Sequence, residues 1–178
     1  MKRMTIGAVL ALCVMAMTVP LKAQTMQEVI EAQANEMISG MQDGDINKLL
    51  DHTLPAVLDL GGGQVAMKEA ITAMLTQTEE MGFSIDTVYV GKAGEIYEAG
   101  TELHAIIPQY LKLGFAEGYI ESMTYLVAVS KDQGKWWYFI DVKQIDEDMK
   151  NMVLPVMNED MVIPEPEEAK QVFYEDEE

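Results

Sequence analysis

Apolar positions recur every three or four residues from Gln24 to about Gly82 and alternate after it, which divides the chain into a helical part and a strand part. In "MQEVIEAQANEMISGMQDG" Met26, Val29, Ile30, Ala34, Met37, Ile38 and Met41 share one stripe, with Glu28, Glu31, Gln33 and Glu36 on the other side. This predicts one amphipathic helix closed near Gly44. Asp45 suits the N-cap of a short second helix, "DINKLLDHTL", which Pro55 is expected to stop. "GGGQ" at 61–64 reads as a flexible break before a third helix. That helix carries Val65, Met67, Ala70, Ile71, Met74, Leu75 and Met81 along one stripe, expected as core filler.

Beyond Gly82, "FSIDTVYV", "GEIYEAG", "TELHAIIPQYLKL", "GYIESMTYLVAVS" and "KWWYFIDVKQI" are rich in β-branched and aromatic residues and separated by glycine-containing breaks. Pro108 inside the third run points to an edge or a bulge, and "SKDQGK" reads as a hairpin turn. Helices followed by a run of antiparallel strands give an α+β pattern, with the helices packed in the concave face of a curled sheet of four to five strands. Alternation puts Trp136, Tyr138 and Ile140 on one face and Trp137, Phe139 and Asp141 on the other, so adjacent tryptophans cannot form one platform. Both faces carry large side chains and are expected to be covered.

Residues 146–178 mix two apolar patches, Val153 to Met157 and Met161 to Ile163, with three prolines and an acidic end. The patches are expected to dock, partly covering the domain of residues 24–145, and the last fifteen or so residues to be mobile. At the other end, Lys2 and Arg3 precede an apolar run from Ile6 to Met17, a break at Pro20 and a small residue at Ala23. This layout reads as a secretion signal over residues 1–23, cleaved between Ala23 and Gln24. The run falls short of the roughly 20 residues a spanning helix needs.

Removing that segment takes away the single cysteine, three of the twelve basic residues and no acidic one, so the net charge moves from −18 to −21. A secreted domain without disulfides fits a periplasm of the Gram-negative type. The negative field opposes binding to nucleic acid or an anionic membrane and leaves small apolar or cationic ligands as partners.

The order in which "SGMQDGDINKLLDHTLPAVLDLGGG", "AMKEAITAML" and "YLVAVSKDQGKWWYFIDV" occur resembles that of the nuclear transport factor 2-like superfamily, which includes SnoaL-like proteins. The likeness covers roughly residues 26 to 143. It implies a cystatin-like cone formed by sheet and helices, often dimeric through the outer sheet face. Some members are lyases or isomerases using an Asp or His with a Tyr inside the cone; many others bind a small molecule or a partner without catalysis.

His52 and His104 are the only histidines. At the cone mouth, His52 would be a general acid or base oriented by Asp51 or Asp141, with substrate held by Tyr110 or Tyr125. The bland alternative packs His52 at a helix end. His104, beside Glu102, is expected at the surface, and His104, Tyr110 and Trp137 are candidates to line the pocket. No zinc spacing, no phosphate-loop lysine and no Gly-x-Ser-x-Gly elbow occurs, so neither metal nor cofactor is expected. The reading is non-catalytic binding of a small ligand or a protein in a cone-shaped pocket, against an acid–base lyase or isomerase and an envelope interaction protein.

Overall fold

The computed structural model describes residues 24–141 and 146–175. The expected secretion signal and its cleavage point at Ala23 lie outside them. Four helices, α1 (Met26–Asp43), α2 (Ile46–Asp51), α3 (Pro55–Leu60) and α4 (Gln64–Glu80), precede β1 (Ser84–Val90), β2 (Ile96–Ala99), β3 (Glu102–Phe115), β4 (Gly118–Ser130) and β5 (Tyr138–Asp141); α5 (Glu147–Val153) and β6 (Lys170–Phe173) follow.

Helix α1 forms where the apolar stripe predicts it. Thr25 accepts from the Glu28 backbone N–H at 3.2 Å while the Glu28 carboxylate accepts from Thr25 N–H at 2.8 Å, a capping box that satisfies two donors at once. Gly44 ends the helix in the left-handed region at φ 72°. Ile30, Ala34, Met37 and Ile38 are buried. Gly40 lets α2 approach closely, since a Cβ there would lie 2.7 Å from the Asp45 carbonyl oxygen.

Two helical expectations change. Pro55 does not stop the second helix, which ends at Asp51; it opens α3 at the first helical position, where a missing N–H costs nothing. The stripe of α4 is not core: no residue of α4 is buried, and Val65 and Met74 are largely exposed. Periodicity identifies an apolar side but not what covers it, and α4 packs chiefly on α2 and α3. Met67, Ile71 and Leu75 are half-buried.

The sheet is antiparallel, curled and unclosed, with six strands in the order β1-β3-β4-β5; β2 also pairs with β3, and β6 with β4. The β3–β4 hairpin pairs from Leu103↔Ser130 to Phe115↔Gly118 and is its backbone. Pro108 is therefore in an interior strand. Its carbonyl accepts from Gly91 N–H at 2.8 Å, on the side where β1 has ended and β2 has not begun, so the missing proline N–H falls at a break in pairing.

Two buried clusters lie on opposite faces. On the concave face Ala105, Ile107, Leu126, Ala128, Trp137 and Phe139 pack against Ile30, Ala34, Met37 and Ile38 of α1. On the outer face Val127, Val129 and Ile140 pack against Leu54 and against Val153, Leu154 and Met161 of the C-terminal segment. That segment, not α1, covers this part of the sheet.

Three further expectations are corrected here. Trp136 lies in the turn before β5 and is 39% exposed, so only Trp137 of the pair enters the core. His104 is not a surface residue but fully buried, because its face of β3 lies under the outer cluster between Tyr97 and Val129. Within the stretch expected to be mobile, Lys170–Phe173 adds a sixth strand, pairing with Gly118–Glu121 of β4.

Candidate functional site

Between α1, α2, α4 and the concave sheet lies a cavity of about 220 Å³. Met37 and Met41 of α1 and Met67, Ile71 and Met74 of α4 form its apolar walls, with Leu126 and Phe139 from the sheet. Its polar groups are Thr53, Gln109 and Asp141. Strand register explains their grouping. Gln109 pairs with Thr124 and Leu126 pairs with Asp141, so three adjacent strands bring Gln109, Thr124 and Asp141 to one end of the concave face. Thr124, itself buried, donates its hydroxyl to Asp141 Oδ1 at 3.0 Å. Asp141 is the only charged side chain among the described residues lining the cavity.

The half-exposed wall contributed by α4 is thinly held. Lys68 Nζ donates to Asn47 Oδ1 at 2.9 Å and ties α4 to α2. The opposite wall is firm. Gln33 of α1 accepts from Trp137 N–H at 2.7 Å and donates to Lys135 O at 2.8 Å, which locks the turn before β5 to α1. The indole N–H of Trp137 donates to Gly134 O at 3.1 Å, satisfying the one polar atom of a fully buried ring.

His52 is buried beside this wall but does not line the cavity. A carbonyl only accepts, so His52 Nδ1 carries a hydrogen and donates to Trp137 O, 3.0 Å away. Nε2 faces Glu36 Oε2 at 3.7 Å, and the ring stacks on Trp136 at 4.5 Å with an 8° interplanar angle. Around it, Phe139 N–H donates to His52 O at 2.7 Å and Leu54 N–H to Phe139 O at 3.3 Å, making the link from α2 to α3 a short parallel addition to β5. Both ring nitrogens thus face protein acceptors at a helix end.

The remaining candidates divide between the faces. Trp137 is on the concave side but behind the cavity wall, and Asp141 is in the cavity. Tyr125 pairs with Pro108 and alternates with Thr124 and Leu126, which places it on the outer face. Tyr110 is on the outer face too, stacked on Tyr89 at 4.7 Å. His104 Nε2 lies 3.1 Å from Glu102 Oε2, whose other oxygen is 3.4 Å from Lys131 Nζ; His104 Nδ1 has no hydrogen-bond partner among the described residues. The structure therefore brings Asp141 to the cavity and leaves His52, Tyr125, Tyr110 and His104 elsewhere.

Sequence reasoning missed Gln109, Thr124 and Thr53, and the cavity-facing side of α4. The signal for the first two was available: on the alternation that puts Ile107 and Leu126 toward the helices, Gln109 and Thr124 are polar residues on an apolar face. Among the described residues no three His, Cys, Asp or Glu side chains group as a metal site, and no helix is long and apolar enough to cross a membrane. Compared with known proteins, the chain matches no family model, no curated protein and no solved structure.

Proposed function

We propose that this chain is a secreted or periplasmic, non-catalytic domain of the nuclear transport factor 2-like kind, holding a small, mainly apolar molecule in the cavity between α1, α4 and the concave sheet. The observation that carries the reading is the cavity itself, walled chiefly by methionine, isoleucine, leucine and phenylalanine, with Gln109 and Asp141 brought near each other by the strand register. Unbranched methionine side chains adapt to varied apolar shapes, which suits a binding wall. At about 220 Å³ the cavity is smaller than the roughly 300–1,000 Å³ typical of drug-sized ligands, so the occupant is small.

Acid–base catalysis needs two groups converging on a substrate. Here His52 is turned to Trp137 O and Glu36, and Tyr125 lies on the other face of the sheet. Among the described residues that line the cavity, a lyase or isomerase reading finds no second titratable group to set beside Asp141.

Hexan-1-ol is a suitable first probe, a short chain with one hydroxyl. Titrated into the ¹⁵N-labelled protein, it should shift amide resonances of Met41, Thr53, Ile71, Gln109 and Asp141 in a saturable way. Ile71→Trp, which fills the cavity from its half-exposed wall, should remove those shifts while leaving the spectrum dispersed. Shifts scattered over the surface, or unchanged in Ile71→Trp, would sink the reading.

A further inference from the structure

We propose, resting on that reading, that the occupant of the cavity is a short aliphatic primary carboxamide whose amide group pairs with the side-chain amide of Gln109 while its alkyl chain lies between the methionines of α1 and α4. Three observations point there. The first is which hydrogen bonds the lining still has to offer. Thr53 already donates its hydroxyl to Leu49 O at 2.9 Å, and Asp141, which accepts from Thr124, has as a carboxylate no hydrogen to give. Gln109 differs. It is half-buried, and among the described residues no hydrogen bond engages its carboxamide, so it offers the cavity both a donor and an acceptor.

The second is the match of groups. A carboxylate ligand only accepts and an ammonium ligand only donates, so each meets half of the Gln109 amide, and a hydroxyl has a single hydrogen. A primary carboxamide carries N–H and C=O side by side, as Gln109 does. The two close a ring of two hydrogen bonds, Gln109 Nε2–H donating to the ligand carbonyl and the ligand N–H donating to Gln109 Oε1. A polar group left unmet in an apolar space costs more than a met one gains, which favours a ligand matched on both counts.

The third is placement. Gln109 pairs with Val90 of β1 on one side and with Thr124 of β4 on the other, so its backbone is held inside the sheet. Alternation with buried Ile107 puts its side chain on the concave face, at a fixed starting point for recognition. Met37, Met41, Leu126 and Phe139 continue the lining as apolar wall, and Met67 and Met74 on the half-exposed α4 adjust to the length of an alkyl chain.

The test sets hexanamide against heptan-2-one, which has a methyl group in place of the amide nitrogen and nearly the same shape, with hexan-1-ol as the reference for the cavity itself. Each is titrated into the purified protein and followed by the cavity amide resonances. Hexanamide should bind the wild-type protein at least about threefold more tightly than heptan-2-one, although the ketone is the easier of the two to take out of water. Gln109→Met keeps the length of the side chain and removes both hydrogen-bonding groups. In that variant hexanamide should weaken about ten- to hundredfold, and the ketone, which loses one hydrogen bond to the amide's two, should weaken less, so that their order reverses. If heptan-2-one binds the wild-type protein as tightly as hexanamide, or if Gln109→Met leaves their order unchanged, the carboxamide assignment is wrong, while saturable shifts from hexan-1-ol leave the apolar cavity reading standing. If none of the three shifts the cavity resonances, both fail. Should Gln109→Met lose its fold, shown by collapsed amide dispersion, the ranking of hexanamide and heptan-2-one on the wild-type protein decides alone.

Discussion

One carboxylate gathers the hydrogen bonds inside the turn that carries Trp136. Asp132 Oδ1 accepts from Trp136 N–H at 2.9 Å, from Lys135 N–H at 3.1 Å and from the Ser130 hydroxyl at 2.9 Å, while Ser130 Oγ accepts from Gly134 N–H at 2.8 Å. The Trp136 N–H bond, followed by those from Ser130 and Lys135, holds the Asp132 carboxyl below its usual 3.8. A carboxyl lowered on folding stabilises the native state above its unfolded value, and that stabilisation is lost as pH falls through the lowered, folded value. Asp132→Ala should therefore cost about 1 kcal/mol at neutral pH, modest because the group is exposed, and the difference from wild type should hold down to about pH 4 and shrink only as the pH falls further, through the lowered folded value. Paired thermal melts across pH check this. Loss of the turn should also release Trp136 from the His52 ring, seen as a red-shifted tryptophan emission against the constant signal of buried Trp137.

At the level of elements, the legible parts were those whose pattern names both a face and its partner. The stripe of α1 and the alternation of β3 and β4 predict each other's cover, and Trp137, Phe139 and Ile140 fall on the faces the alternation assigns. The illegible parts were those where the cover comes from a distant segment. Nothing local says that β6 returns to β4, that Leu154 and Met161 lie over Val127 and Ile140, or that α4 is left half-open. The same limit applied to the candidate site: Asp141 stood out as a carboxylate among aromatics, but its meeting with Gln109 and Thr124 needed the strand register. Two measurements follow from this packing. Met161→Ala, which empties a buried site on the outer face, should cost about 2–5 kcal/mol in chemical denaturation, where a mobile tail would cost nothing. Amide exchange should be faster throughout α4 than in the central turns of α1, since local opening of α4 exposes little buried apolar surface. Equal protection of the two helices would show that α4 is an integral wall.

For the whole molecule the charge imbalance sets the behaviour in solution. Lys48–Asp43, Lys92–Glu31, Lys131–Glu102 and Lys150–Glu147 pair some carboxylates among the described residues, and the Lys92 ammonium is raised above its usual value by its hydrogen bond to Glu31. With 30 acidic residues against 12 basic ones, most carboxylates have no basic residue to pair with, and their mutual repulsion opposes the compact state. Repulsion between exposed charges is screened when the Debye length shrinks, from about 30 Å at 0.01 M salt to about 3 Å at 1 M. The melting temperature should therefore rise with sodium chloride over that range, and a flat or falling profile would show that the carboxylates are spaced too widely to matter. The same screening would bear on a homodimer through the outer sheet face, the arrangement that the family resemblance implies. The C-terminal segment already covers Val127, Val129 and Ile140, which leaves Tyr89, stacked on Tyr110 and 49% exposed, as the centre of what a second copy would meet. Two copies of net charge −18 repel at low salt, so sedimentation velocity should show monomer there and dimer as salt rises, and Tyr89→Glu should abolish the dimer without lowering the melting temperature appreciably. A sedimentation coefficient that stays monomeric at every salt concentration would remove the dimer and leave the cavity as the molecule's one proposed binding surface.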